Sequence, residues 1–324
     1  MDPSITFGAA KALLVAFAWV AVTTLPFIGI ITRYGFRQQI RDDGPASHGL
    51  KEGTPSAGGV LMVSGICLAV VVGGGVTLAT LALCGLVAGC GFVGSLDDYR
   101  KALFKRSLGL RAREKMVILL ILAVVFSWIA IYHLGLGKGL ELPWAGPLTL
   151  SPAVALALSI ISVVFFTNAV NLTDGLDGLA AGSSAIVATA LTIMLLTRGS
   201  RPEAVFCAGL AGACLGFLLF NAHPAAIFMG DTGALALGGG LAGVAILAGQ
   251  QFLLWVVGMV FVVEALSVIA QVTSFKLTGR RILRMSPLHH HFELAGMGET
   301  QVVRGFWLAS VVFSLLGVTL LERF

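Results

Sequence analysis

Along the 324 residues, apolar runs of roughly one helix-length alternate with short polar links. A helix needs about 20 apolar residues to cross the ~30 Å hydrocarbon core of a bilayer. Ten segments meet that need, at approximately 8–31, 57–73, 76–96, 117–135, 151–170, 178–197, 203–220, 232–248, 252–275 and 303–321. Runs of that length predict an all-α integral membrane protein of about ten transmembrane helices, organised as one polytopic domain over residues 1–324. The boundary between the second and third segments is the weakest, because VVVGGGV is apolar on both sides of its glycines. The first run is too long for the core of a signal peptide and is read as a retained helix.

Composition agrees: 57% of residues are hydrophobic and 11% charged, with a mean hydropathy of +0.95. All five cysteines lie inside apolar runs, without metal-ligand spacing, and read as small packing residues. The net charge of +5 does not point to nucleic acid, because its distribution follows the membrane. Of the 21 basic residues, fifteen sit in three links that alternation of the spans places on one side. These are 32–56 (Arg33, Arg37, Arg41, Lys51), 97–116 (Arg100, Lys101, Lys105, Arg106, Arg111, Arg113, Lys115) and 276–302 (Lys276, Arg280, Arg281, Arg284). Lys and Arg accumulate on the cytoplasmic side of membrane proteins, so these links face the cytoplasm and both termini face away from it.

The same alternation gathers the acids. Asp97 and Asp98, Asp174 and Asp177, and Asp231 are far apart in sequence, yet all emerge at the cytoplasmic ends of their helices. A carboxylate at the bilayer centre costs about 2.5–3.5 kcal/mol on insertion scales, so helix ends are where a membrane chain can carry them.

In GFVGSLDDYRK, adjacent carboxylates repel unless a cation compensates. Asp97 and Asp98 thus read either as a terminus balanced by Arg100 and Lys101 or as a pair beside a divalent metal. In NAVNLTDGLDGLAAG, Asp174 and Asp177 are three apart and share a face if the sixth helix starts near Thr173. Capping and phosphate binding are both open to such a helix start, and Asn168 and Asn171 add polarity that capping does not require. In NAHPAAIFMGDTGALALGGG, Asp231 precedes a glycine-rich helix start, suited to a metal-bound phosphate, and Phe228 is placed either to stack on a base or to anchor the interface. In RMSPLHHHFELAGMGE, three successive histidines on one loop rarely converge as separate metal ligands, and a hydrogen-bonding or cationic surface for phosphate fits them better. Pro287 and Phe292 mark a short folded element there. The ordered loop IRDDGPASHGLKEGTPSAGG offers Lys51 to a phosphate. Glu264 lies within a span and must face protein or water rather than lipid. His223 stands alone and carries little signal.

Taken in order, IRDDGP..H..K.GTP..GG, LDDY.K, NAVNLTDGLDGLA, FMGDTG, E.LSVI.Q and PLHHHFEL..M.E resemble the polyprenyl-phosphate N-acetylhexosamine-1-phosphate transferase superfamily over nearly the whole chain. PLHHHFE resembles in particular its phospho-N-acetylmuramoyl-pentapeptide transferase branch. That resemblance implies ten spans in a bacterial cytoplasmic membrane, an active site facing the cytoplasm, a Mg²⁺ requirement and a homodimer. By residue it implies Asp97, Asp98, Asp231 and His289 as catalytic, with Asp231 the metal ligand. Lys51, Lys101, Lys115, Asn168, Asn171, Asp174, Asp177, Asn221, Phe228, Gln271, His290 and His291 are assigned to substrate. Two departures stand out: GTPSAGG where GTPTMGG belongs, and VVRGFW where an Arg directly before Phe-Trp belongs, which leaves Arg304 without a role.

The implied partners are UDP-MurNAc-pentapeptide, undecaprenyl phosphate and membrane lipid, with no nucleic acid. The implied reaction passes phospho-MurNAc-pentapeptide to the lipid phosphate, with Asp97 favoured over Asp98 as base. An N-acetylglucosamine-phosphate transferase of the same superfamily and a secondary transporter are the competing readings. Against transport, the acids cluster at one face instead of at mid-depth, and the hydropathy shows no inverted repeat.

Overall fold

The computed structural model describes residues 3–33, 53–104, 109–142 and 144–322. Lys51, with Arg37, Arg41, Lys105 and Arg106 of the basic links, lies outside the described residues. The chain runs α1 (Pro3–Arg33), α2 (Gly59–Val72), α3 (Leu78–Phe104) and α4 (Ala112–Trp128), the last continued by a π turn at Ile129–His133. A hairpin follows, β1 (Gly139–Leu142) and β2 (Gly146–Thr149). Next come α5 (Pro152–Thr173), α6 (Leu179–Thr197), α7 (Arg201–Asn221), α8 (Gly230–Leu247), α9 (Gln251–Val257), α10 (Met259–Thr278), α11 (Leu288–Leu294) and α12 (Glu299–Glu322).

Among the described residues, nine helices are long and apolar enough to cross a membrane. The remaining apolar segment forms α2, whose 14 residues span about 21 Å at 1.5 Å per residue. Local signals explain several boundaries. Ser151 caps α5 by accepting from the Val154 N–H, with Pro152 in the first turn, and Gly279 closes α10 at φ +69°.

The ninth expected span, 252–275, is not one helix. It breaks at Gly258 into the seven-residue α9 and the longer α10. A side chain at Gly258 would press on the Leu254 carbonyl at 2.8 Å and on Phe166 at 3.0 Å. The break is invisible to hydropathy because both halves are apolar. The hairpin, also unforeseen, pairs Gly139 with Thr149 and Leu142 with Gly146 in antiparallel register. It is tied to neighbouring links by Glu141, which takes the Arg198 guanidinium at 2.7 Å and the Gln250 amide at 2.8 Å.

α8 is the centre of the bundle: 89% of its apolar stretch is buried against protein, whereas α1 at 22% and α12 at 33% leave most of theirs to lipid. Small residues permit this. α8 packs on α2, α3, α5 and α7, and in a membrane such contacts rest on close van der Waals approach rather than on the hydrophobic effect. A Cβ at Gly59 would overlap the Gly233 backbone, one at Gly238 would overlap the Phe166 carbonyl, and one at Gly94 would overlap the Asp231–Thr232 peptide. These glycines let α2, α5 and α3 touch α8 backbone to backbone.

Gly238→Ala is therefore expected to destabilise the protein by about 1–3 kcal/mol, the usual penalty of overpacking. Gly85→Ala, at a helical position where an added Cβ meets nothing within 4 Å, should be neutral or stabilising by about 0.5–1 kcal/mol. Unfolding in detergent followed by ellipticity checks both, and equal behaviour of the two variants would contradict this packing.

Candidate functional site

Four helix ends meet at one point. α3 contributes Asp97, Asp98 and Lys101, the first turn of α4 contributes Lys115, the last turn of α5 contributes Asn171, and the first turn of α8 contributes Asp231. The close approach at Gly94 brings α3 against the start of α8. There, Gly230 takes φ +68°, a left-handed turn in which a side chain would run into the Asp98 carboxylate.

The two adjacent acids of α3 have different work. Asp98, 9% exposed, accepts the Asp231 N–H at 3.1 Å on Oδ1, and the Thr232 N–H at 3.1 Å and Thr232 hydroxyl at 2.7 Å on Oδ2. The first amides of a helix lack partners within it and carry the positive end of its dipole. Asp98 thus caps α8 from another helix. Asp97, 3% exposed, accepts the Leu110 N–H at 2.7 Å and pairs with Lys101 at 2.6 Å, one helical turn on.

With its backbone fixed by Asp98, Asp231 turns its carboxylate toward side chains. Lys101 lies 3.1 Å from Oδ1, the Asn171 amide donates to the same oxygen at 3.2 Å, and Lys115 lies 2.5 Å from Oδ2. Lys115 also donates to the Asn171 carbonyl at 3.2 Å. Asp97, Asp98 and Asp231 each offer one oxygen within 4.8 Å of the others. Three hard oxygen donors at that separation suit a small divalent cation. Three carboxylates against two ammonium groups leave the cluster one negative charge for such a cation to meet.

The remaining predicted residues divide. Asp174 and Asp177 do not share a helix face: α5 runs through Thr173, Asp174 caps its end, and α6 starts only after Gly178, at φ +77°. The expected helix start near Thr173 is corrected for a physical reason. The two glycines of TDGLDG break the helix, and Asp177 folds back to accept from His223 and the Ala225 N–H, each at 3.0 Å. Asn168 donates to the Val164 carbonyl of its own helix at 2.8 Å. Asn221, 2% exposed, accepts the Gly178 N–H at 3.1 Å and donates to the Ile227 carbonyl at 3.0 Å, clamping two links together. Phe228 is half-buried, and its backbone pairs with Pro55 and Gly58 beside a parallel bridge to Ser56. Gln271 pins the loop before α11, accepting from Ile282 and Leu283 at 3.0 and 2.9 Å.

The histidines form part of a short helix, as Pro287 and Phe292 suggested, but they are not one surface. His289 is fully buried, its ring against Gly175, where a Cβ would overlap Nε2. His290 pairs with Glu293 at 2.8 Å, and His291 accepts the Arg284 N–H at 3.1 Å.

Sequence reasoning passed over three participants. Thr232 supplies two of the three donors to Asp98. His223 and Glu299 join Asp177 in a second group whose ligand atoms lie within 4.8 Å of one another. The position of His223 between Asn221 and Phe228 was the available signal.

Residues 58–249 match the model of glycosyl transferase family 4. A phospho-N-acetylmuramoyl-pentapeptide-transferase of Pelotomaculum thermopropionicum is 46% identical over 323 residues, covering 96% of this chain and 98% of that protein. Proteins of the same name from Heliobacterium modesticaldum, at 48% over 90% of this chain and 91% of theirs, and Geobacillus thermodenitrificans, at 44% over 95% and 96%, are similar along almost their full length.

Thr232→Val deletes one donor to the buried Asp98 carboxylate and keeps the shape, and is expected to cost about 1–3 kcal/mol. Detergent unfolding measures it. An unchanged midpoint would show that the Thr232 hydroxyl adds nothing to the hold of Asp98 on α8.

Proposed function

Since the chain belongs to the phospho-N-acetylmuramoyl-pentapeptide-transferase family, we propose that it transfers phospho-MurNAc-pentapeptide from UDP-MurNAc-pentapeptide to undecaprenyl phosphate, giving the lipid-linked diphosphate sugar and UMP. The reading sets the protein in the bacterial inner membrane with its site toward the cytoplasm, as the basic links suggest, and associates two copies. The observation that carries it is the meeting of Asp97, Asp98 and Asp231 with Lys101, Lys115 and Asn171 at the ends of four helices.

In the reaction, an oxygen of the lipid phosphate attacks the β-phosphorus of the donor, the bond from that phosphorus to the bridging oxygen breaks, and UMP leaves with the electron pair. Two anions must approach each other. Asp231, with Asp97 and Asp98 beside it, would hold Mg²⁺, which would supply positive charge to offset this repulsion. Asp98, with both oxygens accepting from the start of α8, aims Asp231. Lys101 and Lys115 are cations on long flexible stems, able to follow phosphate oxygens as charge shifts to the leaving group. Asn171 keeps Lys115 and Asp231 in register.

A phosphate monoester has its second pKa near ~6 and is largely dianionic at neutral pH, so a strong base is not needed. Asp97, which gives one oxygen to a backbone donor and the other to the mobile Lys101, takes any residual proton.

Asp231→Asn should lower turnover by about 10²-fold or more, equivalent to about 2.7 kcal/mol of barrier, in a protein that remains folded. Near-normal turnover would remove Asp231 from the chemistry. Exhaustive chelation should stop transfer and added Mg²⁺ restore it; transfer persisting in chelator would reject the metal. With both UDP-MurNAc-pentapeptide and UDP-N-acetylglucosamine offered to labelled undecaprenyl phosphate, the product is expected to carry only the muramoyl sugar.

A further inference from the structure

Glu264 is an acid inside an apolar helix, fully buried in α10. A carboxylate so placed is costly unless it is paired and hydrogen-bonded. Its partners are unusual: Oε2 accepts the Leu288 N–H at 2.9 Å and Oε1 the His289 N–H at 3.1 Å, the first two amides of α11. The N-cap position of α11 is Pro287, which offers no side-chain acceptor, so Glu264, 24 positions before Leu288, does the capping.

The same carboxylate lies 3.2 Å from Nδ1 of His289. On its other edge the imidazole is closed by Gly175, and neither ring nitrogen makes a hydrogen bond among the described residues, so Nδ1 meets the carboxylate as a charge neighbour. Gly175 belongs to the link that carries Asp174 and Asp177, four residues beyond Asn171, which touches Asp231. Glu264, His289 and Gly175 thus form a contact path from α10 to the α5–α6 link beside the acid cluster. The negative charge 3.2 Å from Nδ1 favours a proton on that nitrogen and leaves the Nε2 lone pair toward Gly175.

We propose that Glu264 is a positioning residue of the transfer reaction, acting through His289 to hold the Asp174–Asp177 link in place. The inference rests on the transferase reading. It differs from a merely structural role in demanding that the effect of Glu264 vanish when His289 is removed.

The test uses the full-length protein in nanodiscs, with UDP-MurNAc-pentapeptide and undecaprenyl phosphate. Glu264→Gln should lower kcat about tenfold while the donor KM changes less than about threefold. In the His289→Ala background the same change should have no further effect, because the two residues act as one unit. Independent losses that multiply would overturn the proposal. Gly175→Ala approaches the ring from the opposite side and covers the case in which Glu264→Gln does not fold. Alone it should lower kcat, and combined with His289→Ala it should be no worse than His289→Ala alone; a further loss in the double variant would overturn the proposal. ¹⁵N-histidine spectra give a readout without turnover: wild-type His289 should show the Nδ1–H tautomer and Glu264→Gln should mix the two, whereas identical spectra would overturn the inference. Absence of any lipid product from the wild-type protein would instead defeat the transferase reading, and the spectra would still decide whether Glu264 governs His289.

Discussion

The site depends on the bond between one buried carboxylate and the beginning of one helix. Asp98 gives both oxygens to α8, accepting two backbone amides and the Thr232 hydroxyl. Desolvating a carboxylate is costly, and the unpaired amides and positive dipole end of α8 are costly in the opposite sense. Each need answers the other, provided the backbones of α3 and α8 touch. Gly94 and Gly230 allow that touch, since a side chain at either position would occupy the space of the contact. Once α8 is held in this way, the next carboxylate, Asp231, has no backbone left to satisfy and faces Lys101, Lys115 and Asn171.

The same device recurs around the site. Glu264 caps α11 from α10, Asn221 joins the start of α6 to the link before α8, and Gln271 holds the loop ahead of the histidines. Links near a bilayer carry amides and carbonyls that water reaches poorly, and an unpaired buried group costs about 1–3 kcal/mol. Polar side chains on rigid helices meet that demand. Asn221 and Gln271, which family resemblance assigns to substrate, are in this structure bound to the backbone of neighbouring links.

Hydropathy alone made the spanning helices legible, and alternation of the basic links brought the acids to one end; Asp97, Asp98 and Asp231 do converge. What stayed hidden has two physical sources. Some features leave no contrast in the pattern. The break at Gly258 separates two equally apolar halves, and the hairpin 139–149 is too short to show a period. Others are long-range bonds: Asp98 and Thr232 are 134 residues apart, and no local spacing announces that one caps the helix of the other. Asp174 and Asp177 failed differently. Their spacing of three implies a shared face only inside a helix, and the glycines between and after them end the helix first.

Rigid and movable parts of the site are thereby separated. The acids sit on backbones locked by glycine contacts and trans capping, whereas the cations that balance them ride on the flexible side chains of Lys101 and Lys115. A diphosphate entering three fixed carboxylates would be repelled if the positive charges were equally fixed to their acids. Because the ammonium groups ride on flexible stems, they can leave Asp97 and Asp231 for phosphate oxygens without any helix moving, and charge can be redistributed at little structural cost. A frame that is stiff where ligands must be aimed and loose where charge must travel suits a reaction whose barrier is chiefly electrostatic.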